Sequence, residues 1–160
     1  MMIVWVLVVV VVIGILIFIS THKKVDTSSG LSQGTQTNMQ NIQQPAQVPG
    51  VKVTITQEGT GAAAKSGDTV AMNYIGRLAD GTVFDSNVDP KFQHVEPFVF
   101  TIGAGMVIKG WDVGVAGMKT GEKRTLVIDP DYGYGAAGAG GVIPPNATLT
   151  FDVELVAIKP

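Results

Sequence analysis

Cysteine is absent from the 160 residues. That excludes disulfide staples, thiol nucleophiles and cysteine-ligated zinc. Histidine is scarce, with only His22 and His94, so no His-Glu-x-x-His metal pair can form, and neither a nucleophile elbow nor a phosphate loop occurs. Gly103, Ala104 and Gly105 lack the third glycine and the following βαβ unit of a dinucleotide turn, and read as a loop between strand and helix. Hydrolysis, phosphoryl transfer and hydride transfer therefore have no candidate residues, and no metal or cofactor is expected. Lysine and arginine number 11 against 13 aspartates and glutamates. With no basic patch, nucleic-acid binding has little support.

Apolar residues are abundant but unevenly placed. Residues 1–19 carry no charge, with Gly14 the one interruption. As a helix they would span roughly 28 Å at about 1.5 Å per residue, close to the bilayer hydrocarbon thickness. No basic residue precedes the run and no small-residue cleavage site follows it, so an uncleaved membrane anchor over residues 1–20 is favoured over a signal peptide. Residues 21–50 are rich in Ser, Thr, Gln, Asn and Gly, a composition that cannot bury enough surface to offset its ordering entropy. They read as a flexible polar linker, spanning roughly 30 Å as a coil.

From residue 51 to 160 the pattern changes to period two. Val51, Val53 and Ile55 alternate with polar residues, as do Val70, Met72 and Tyr74. Phe98, Phe100 and Ile102 share one face, Leu126 and Ile128 another, and Leu149, Phe151, Val153 and Leu155 give the longest run. Half-buried antiparallel strands follow from this alternation. Asp80 and Gly81 mark a tight hairpin between 74–78 and 83–84. Ile108, Trp111, Val115 and Met118 fall at helical spacing, although Gly110, Gly114 and Gly117 each weaken such a helix by about 1 kcal/mol relative to alanine. Packing against the sheet has to hold it. An α+β fold with a twisted antiparallel sheet around one short helix is predicted.

Several separated motifs stand in order along this region. They are Phe84, Asp85 and Ser86; the run VIKGW at 107–111; DYGYG at 131–135; Ile143, Pro144 and Pro145; and FDVEL at 151–155. Together they resemble the FK506-binding-protein (FKBP) family of peptidyl-prolyl cis-trans isomerases, over essentially the whole of 51–160. The resemblance implies an antiparallel half-barrel wrapped around a short helix, with a groove between helix and sheet. It implies proline-containing polypeptides as substrates and FK506- or rapamycin-like macrolides as ligands. By the same resemblance, Tyr74, Phe84, Phe98, Trp111 and Phe151 match the aromatic pocket walls, with Trp111 as the floor. Val107 and Ile108 match the edge, where the Ile108 N–H meets a substrate carbonyl. Tyr134 matches the tyrosine whose hydroxyl donates to substrate, Ile143 the residue closing the groove, and Asp85 the carboxylate beside the pocket that orients Tyr74. Read without the resemblance, Trp111 and Phe151 fit a core, Phe84 and Phe98 a barrel interior, and Asp85 a turn.

Such chemistry needs none of the missing equipment. Amide resonance sets a rotation barrier of about 18–20 kcal/mol. An apolar, water-poor groove favours the twisted bond, whose charge separation is reduced, over the planar one. A non-catalytic proline-peptide-binding or chaperone module on the same fold is the alternative. Two departures bear on substrate preference and macrolide affinity: a longer stretch over 88–96, lacking the arginine common there, and a glycine-rich flap tip at 138–141 that should be mobile. Lys23 and Lys24 alone would keep the domain in the cytoplasm. The easily translocated polar linker and the habit of anchored family members favour an extracytoplasmic domain on a single-pass anchor.

Overall fold

A computed structural model describes residues 48–159. The anchor expected over 1–20 and almost all of the 21–50 linker lie outside them. Among the described residues no helix is long and apolar enough to cross a membrane.

Eight strands and one α-helix form the domain: β1 (Val51–Gln57), β2 (Thr60–Ala63), β3 (Thr69–Leu78), β4 (Val83–Ser86), β5 (Phe98–Thr101), α1 (Lys109–Val115), β6 (Lys119–Thr120), β7 (Lys123–Ile128) and β8 (Leu149–Lys159). The main sheet runs β1-β7-β8-β3-β4, with β5 also paired to β3, while β2 and β6 make a separate ribbon. Every pairing is antiparallel. The expected alternation is clearest in β8, where Leu149, Phe151, Val153 and Leu155 are buried beside Leu126 and Ile128 of β7. It breaks in β3, where Val70, Ala71 and Met72 are all buried because the pairing with β8 shifts register between Ala71 and Met72.

Strand β3 organises the site. One edge pairs along its length with β8. The other edge is shared, Ile75 to Arg77 facing β4 and Thr69 to Met72 facing β5, so Tyr74 lies at a seam. Asn87 closes that seam. Its side chain accepts the Tyr74 N–H at 2.7 Å and donates to the Met72 and Glu96 carbonyls at 2.9 Å each. Buried backbone groups must find partners, and this side chain supplies them where neither strand reaches. The β3–β4 turn forms as expected. Gly81 adopts φ +87°, and Asp80 Oδ1 accepts the Thr82 N–H at 2.8 Å.

The helix is shorter than the apolar spacing suggests. Ile108 is its N-cap, and the backbone leaves helical geometry at Ala116. Gly117 then turns the chain at φ +81°, so the fully buried Met118 reaches the core from non-helical backbone. Gly110 and Gly114 do more than weaken the helix. A Cβ at Gly110 would stand 2.5 Å from Ile128 Cγ2, and one at Gly114 2.8 Å from Leu126 Cδ1. Their bare backbone is what lets α1 lie flush on β7. Arg124, buried on β7, fixes the helix end. Its Nη1 donates to the carbonyls of Gly114 at 2.7 Å and Ala116 at 3.1 Å, while its Nε donates to buried Glu122 at 2.6 Å.

Candidate active site

A cleft of roughly 210 Å³ opens between α1 and the sheet, lined by Tyr74, Phe84, Asp85, Phe98, Met106, Val107, Ile108, Trp111, Tyr134 and Phe151. A water molecule occupies about 30 Å³ of liquid, so there is room for a five-membered ring and the peptide groups beside it. Trp111 forms the floor. Its indole is only 4% exposed yet faces the cleft. Three rings meet it nearly edge-on: Tyr74 and Phe151 at centroid distances of 5.3 Å and Phe98 at 6.1 Å. Such edge-to-face pairs are favourable beyond the area they bury. A fourth ring, Phe100, packs against the indole at 5.7 Å, so the rings hold it in place while it still lines the cleft.

The walls depend on a glycine that the periodicity does not single out. A Cβ on Gly76 in β3 would lie 2.7 Å from the Phe84 ring and 2.8 Å from the Phe151 ring. Those two rings cross at 90° with centroids 5.5 Å apart, in space that only glycine leaves open. Phe98 was expected to share a face with Phe100 and Ile102. The latter two are buried, but Phe98, at the start of β5, is 41% exposed on the cleft. It stacks on Phe100 at 5.8 Å.

The polar edge is compact. Tyr74 Oη donates to Asp85 Oδ2 at 2.7 Å. The other carboxylate oxygen accepts the Ser86 N–H at 2.9 Å and stands 3.0 Å from His94 Nε2. Burial, then the hydrogen bond to Asp85, push the Tyr74 hydroxyl well above the ordinary tyrosine value. Tyr134, across the cleft, is raised by burial and then by the Asp85 charge. Both phenols therefore stay protonated and able to donate at neutral pH. The Ile108 carbonyl accepts the first helical bonds, from Trp111 N at 2.9 Å and Asp112 N at 3.4 Å.

Nine of the ten residues expected from sequence thus line one cleft. Ile143 does not. It is 8% exposed within the core cluster, and its backbone forms a two-way bridge to Ala139, with N···O distances of 2.9 and 3.0 Å. Between them Gly140 and Gly141 take φ +58° and +68°, as a tight primed hairpin turn requires. The flap tip thus uses its glycines to close a turn. Met106 and His94 were not singled out as site residues. Met106 stands just outside the 107–111 motif, and His94 reaches Asp85 only through the fold of a long loop.

Comparison with known proteins shows the family. Residues 60–156 match the family described as FKBP-type peptidyl-prolyl cis-trans isomerase. The chain belongs to that family. It is 56% identical over 110 residues to FK506-binding protein 1 of Dictyostelium discoideum, covering 69% of this chain and 99% of that one. A peptidyl-prolyl cis-trans isomerase of Schizosaccharomyces pombe is 52% identical over 111 residues, covering 69% and 96%. FK506-binding protein 2B of Rhizopus delemar is 55% identical over 112 residues, covering 69% of this chain but 52% of a longer relative. The activity of this FKBP-type domain is cis–trans isomerisation of peptidyl-prolyl bonds, and its cleft presents an apolar floor with a narrow polar edge.

Proposed function

We propose that the isomerase works by seating the prolyl ring on Trp111 between Tyr74, Phe84, Phe98 and Phe151, and by stabilising the rotated bond. The arrangement of those rings around Trp111 in the lining of one cleft carries the reading. Removing water lowers the support that a planar, charge-separated amide would otherwise receive, and the twisted form gains relative to it. Val107 and the Ile108 N–H would hold the chain at the edge, Tyr134 would donate to a substrate carbonyl, and the Asp85–Tyr74 pair would face the turning amide. Ile143 would act by anchoring the flap from below. Uncatalysed X-Pro rotation takes tens to hundreds of seconds, so polypeptides that wait on this step during folding are the fitting substrates. An FK506- or rapamycin-like macrolide would enter the same cleft.

The reading extends to placement. The uncharged run over 1–20 would anchor the protein, and the polar stretch over 21–50 would let the domain over 51–160 reach extracytoplasmic clients.

The test is a protease-coupled or exchange-NMR assay on an X-Pro peptide, with the full chain in a zwitterionic detergent. Catalysis should fall in Tyr134→Phe and Asp85→Ala, and FK506 should compete with the peptide. A wild-type rate equal to the uncatalysed one ends the proposal. If peptide binding weakens in those variants with no turnover to lose, a binding module replaces it. Proteolysis of intact against permeabilised cells tests the placement, which fails if the domain is cut only after permeabilisation.

A further inference from the structure

We infer that His94 is a positioning residue for Asp85, and that isomerisation is faster when its imidazole is protonated. The inference rests on the reading above, in which Asp85 and Tyr74 face the turning amide.

Asp85 is held at three points. Two come from groups that keep their protons through neutral pH: the Tyr74 hydroxyl on Oδ2 at 2.7 Å and the Ser86 amide on Oδ1 at 2.9 Å. The third is His94 Nε2, 3.0 Å from Oδ1; of the three donor types, only an imidazole has an unperturbed charge change between about pH 5 and 8. An imidazolium always carries a proton on Nε2. A neutral ring shares its one proton between two nitrogens, and the tautomer with a bare Nε2 would set a lone pair against the carboxylate. Protonation therefore tightens the tie and keeps Oδ2 directed at Tyr74, whose ring packs edge-on to Trp111.

The loop between β4 and β5 is built to deliver this residue. Asn87, buried, ties the loop's far end by donating to the Glu96 carbonyl at 2.9 Å. Ser86 Oγ accepts the N–H groups of Val88 and Asp89 at 3.1 and 3.2 Å. Asp89 caps a single 3-10 turn, Pro90–Phe92, by accepting the Lys91 N–H. Gln93 then adopts φ 62°, a left-handed conformation that side chains other than glycine's seldom take. This reversal immediately precedes His94. The surrounding titratable groups are Asp85 from β4, Tyr74 from β3, Tyr134 from across the cleft, and Asp89, Lys91 and Glu96 on the loop itself. Lys91 is engaged with Asp89 at 3.3 Å. Half of the His94 side chain is exposed, and solvent limits the size of the effect.

The experiment is exchange NMR of a blocked X-Pro peptide without ionisable side chains, with the full chain in a zwitterionic detergent. Wild type is compared with His94→Gln and His94→Ala at about pH 5.5 and about pH 8, either side of the histidine range. Gln keeps a donor but does not titrate. A charge-assisted bond at a half-exposed site predicts a fall of roughly threefold in wild-type kcat/KM from the lower to the higher pH. Both variants should be flat, with Gln above Ala. An active but pH-flat wild type overturns the inference and leaves the site reading intact. So does a His94→Ala or His94→Gln variant that keeps the wild-type response. An inactive wild type at both pH values would sink the site reading, and this inference with it.

Discussion

Trp111 and Asp85 face the same cleft, yet the molecule holds them by different means. Trp111 rides on a seven-residue helix that packing seats in place. The helix lies glycine-flush on β7, Arg124 ties its end, and three rings crowd its indole. Asp85 sits at a half-open edge, where hydrogen bonds from a phenol, an amide and an imidazole hold it. The floor is secured by close packing, which resists continuous deformation. The edge is secured by exchangeable bonds, which reorient at small cost. Substitutions at the first should therefore register in stability and at the second in rate.

The sharpest way to break that contrast is Arg124→Ala. It removes the donor at the helix end and leaves Glu122 buried without its partner, a loss of about 3–5 kcal/mol for a buried pair. Urea unfolding followed by circular dichroism should show it. A loss below about 1 kcal/mol, the scale of an exposed ion pair, would mean that the helix seat does not depend on this residue. Next is Gly110→Ala, whose Cβ would meet Ile128 at 2.5 Å. Overpacking of this kind costs about 1–3 kcal/mol, and kcat/KM should fall with it as the helix lifts Trp111 out of place. Unchanged stability would show that Ile128 yields.

Asp85→Asn tests the other side. We expect kcat/KM to drop about tenfold, or about 1.4 kcal/mol in the barrier. The unfolding free energy should change by under about 1 kcal/mol, as for most surface polar changes. A larger effect on unfolding than on rate would erase the distinction between floor and edge. The smallest effect is alkaline. Tyr74 has a folded-state pKa above its unfolded one, so the folded protein keeps a proton that the unfolded chain gives up. Its contribution is whole below about pH 10 and is lost as pH rises beyond it. The thermal midpoint should therefore fall as pH climbs past that value, and less steeply in Tyr74→Phe. An equal slope in the two proteins would show that Tyr134 or another group governs the decline.

Much of this was legible in the chain itself. Period-two runs placed β1, β7 and β8 because each buries one face only, and Asp80 with Gly81 placed a turn that depends on local backbone alone. Phe84, Trp111, Tyr134 and Phe151 were legible because they sit in separate ordered motifs, whereas Tyr74 and Phe98 lie in alternating strands and were assigned by the resemblance alone. What stayed hidden depends on contacts between distant residues. Gly76 carries no signal in the sequence until Phe84 and Phe151 are seen to fill its space. Gly110 and Gly114 read as helix breakers until β7 lies against them. Phe98 and Phe100 are indistinguishable by spacing, because the face they share turns from core to cleft within one strand. Asn87, Arg124 and His94 act through reach: each bridges elements that pattern alone cannot bring together.

The divided edge of β3 has a wider consequence. Because Asn87 satisfies the backbone on both sides of the gap, the chain between the two short strands is released from the ladder and leaves it at one sealed point. The gap is a socket. Residues 88–95 take part in no strand pairing, so a segment of another length there would leave the sheet hydrogen bonds in place and would stand beside Asp85.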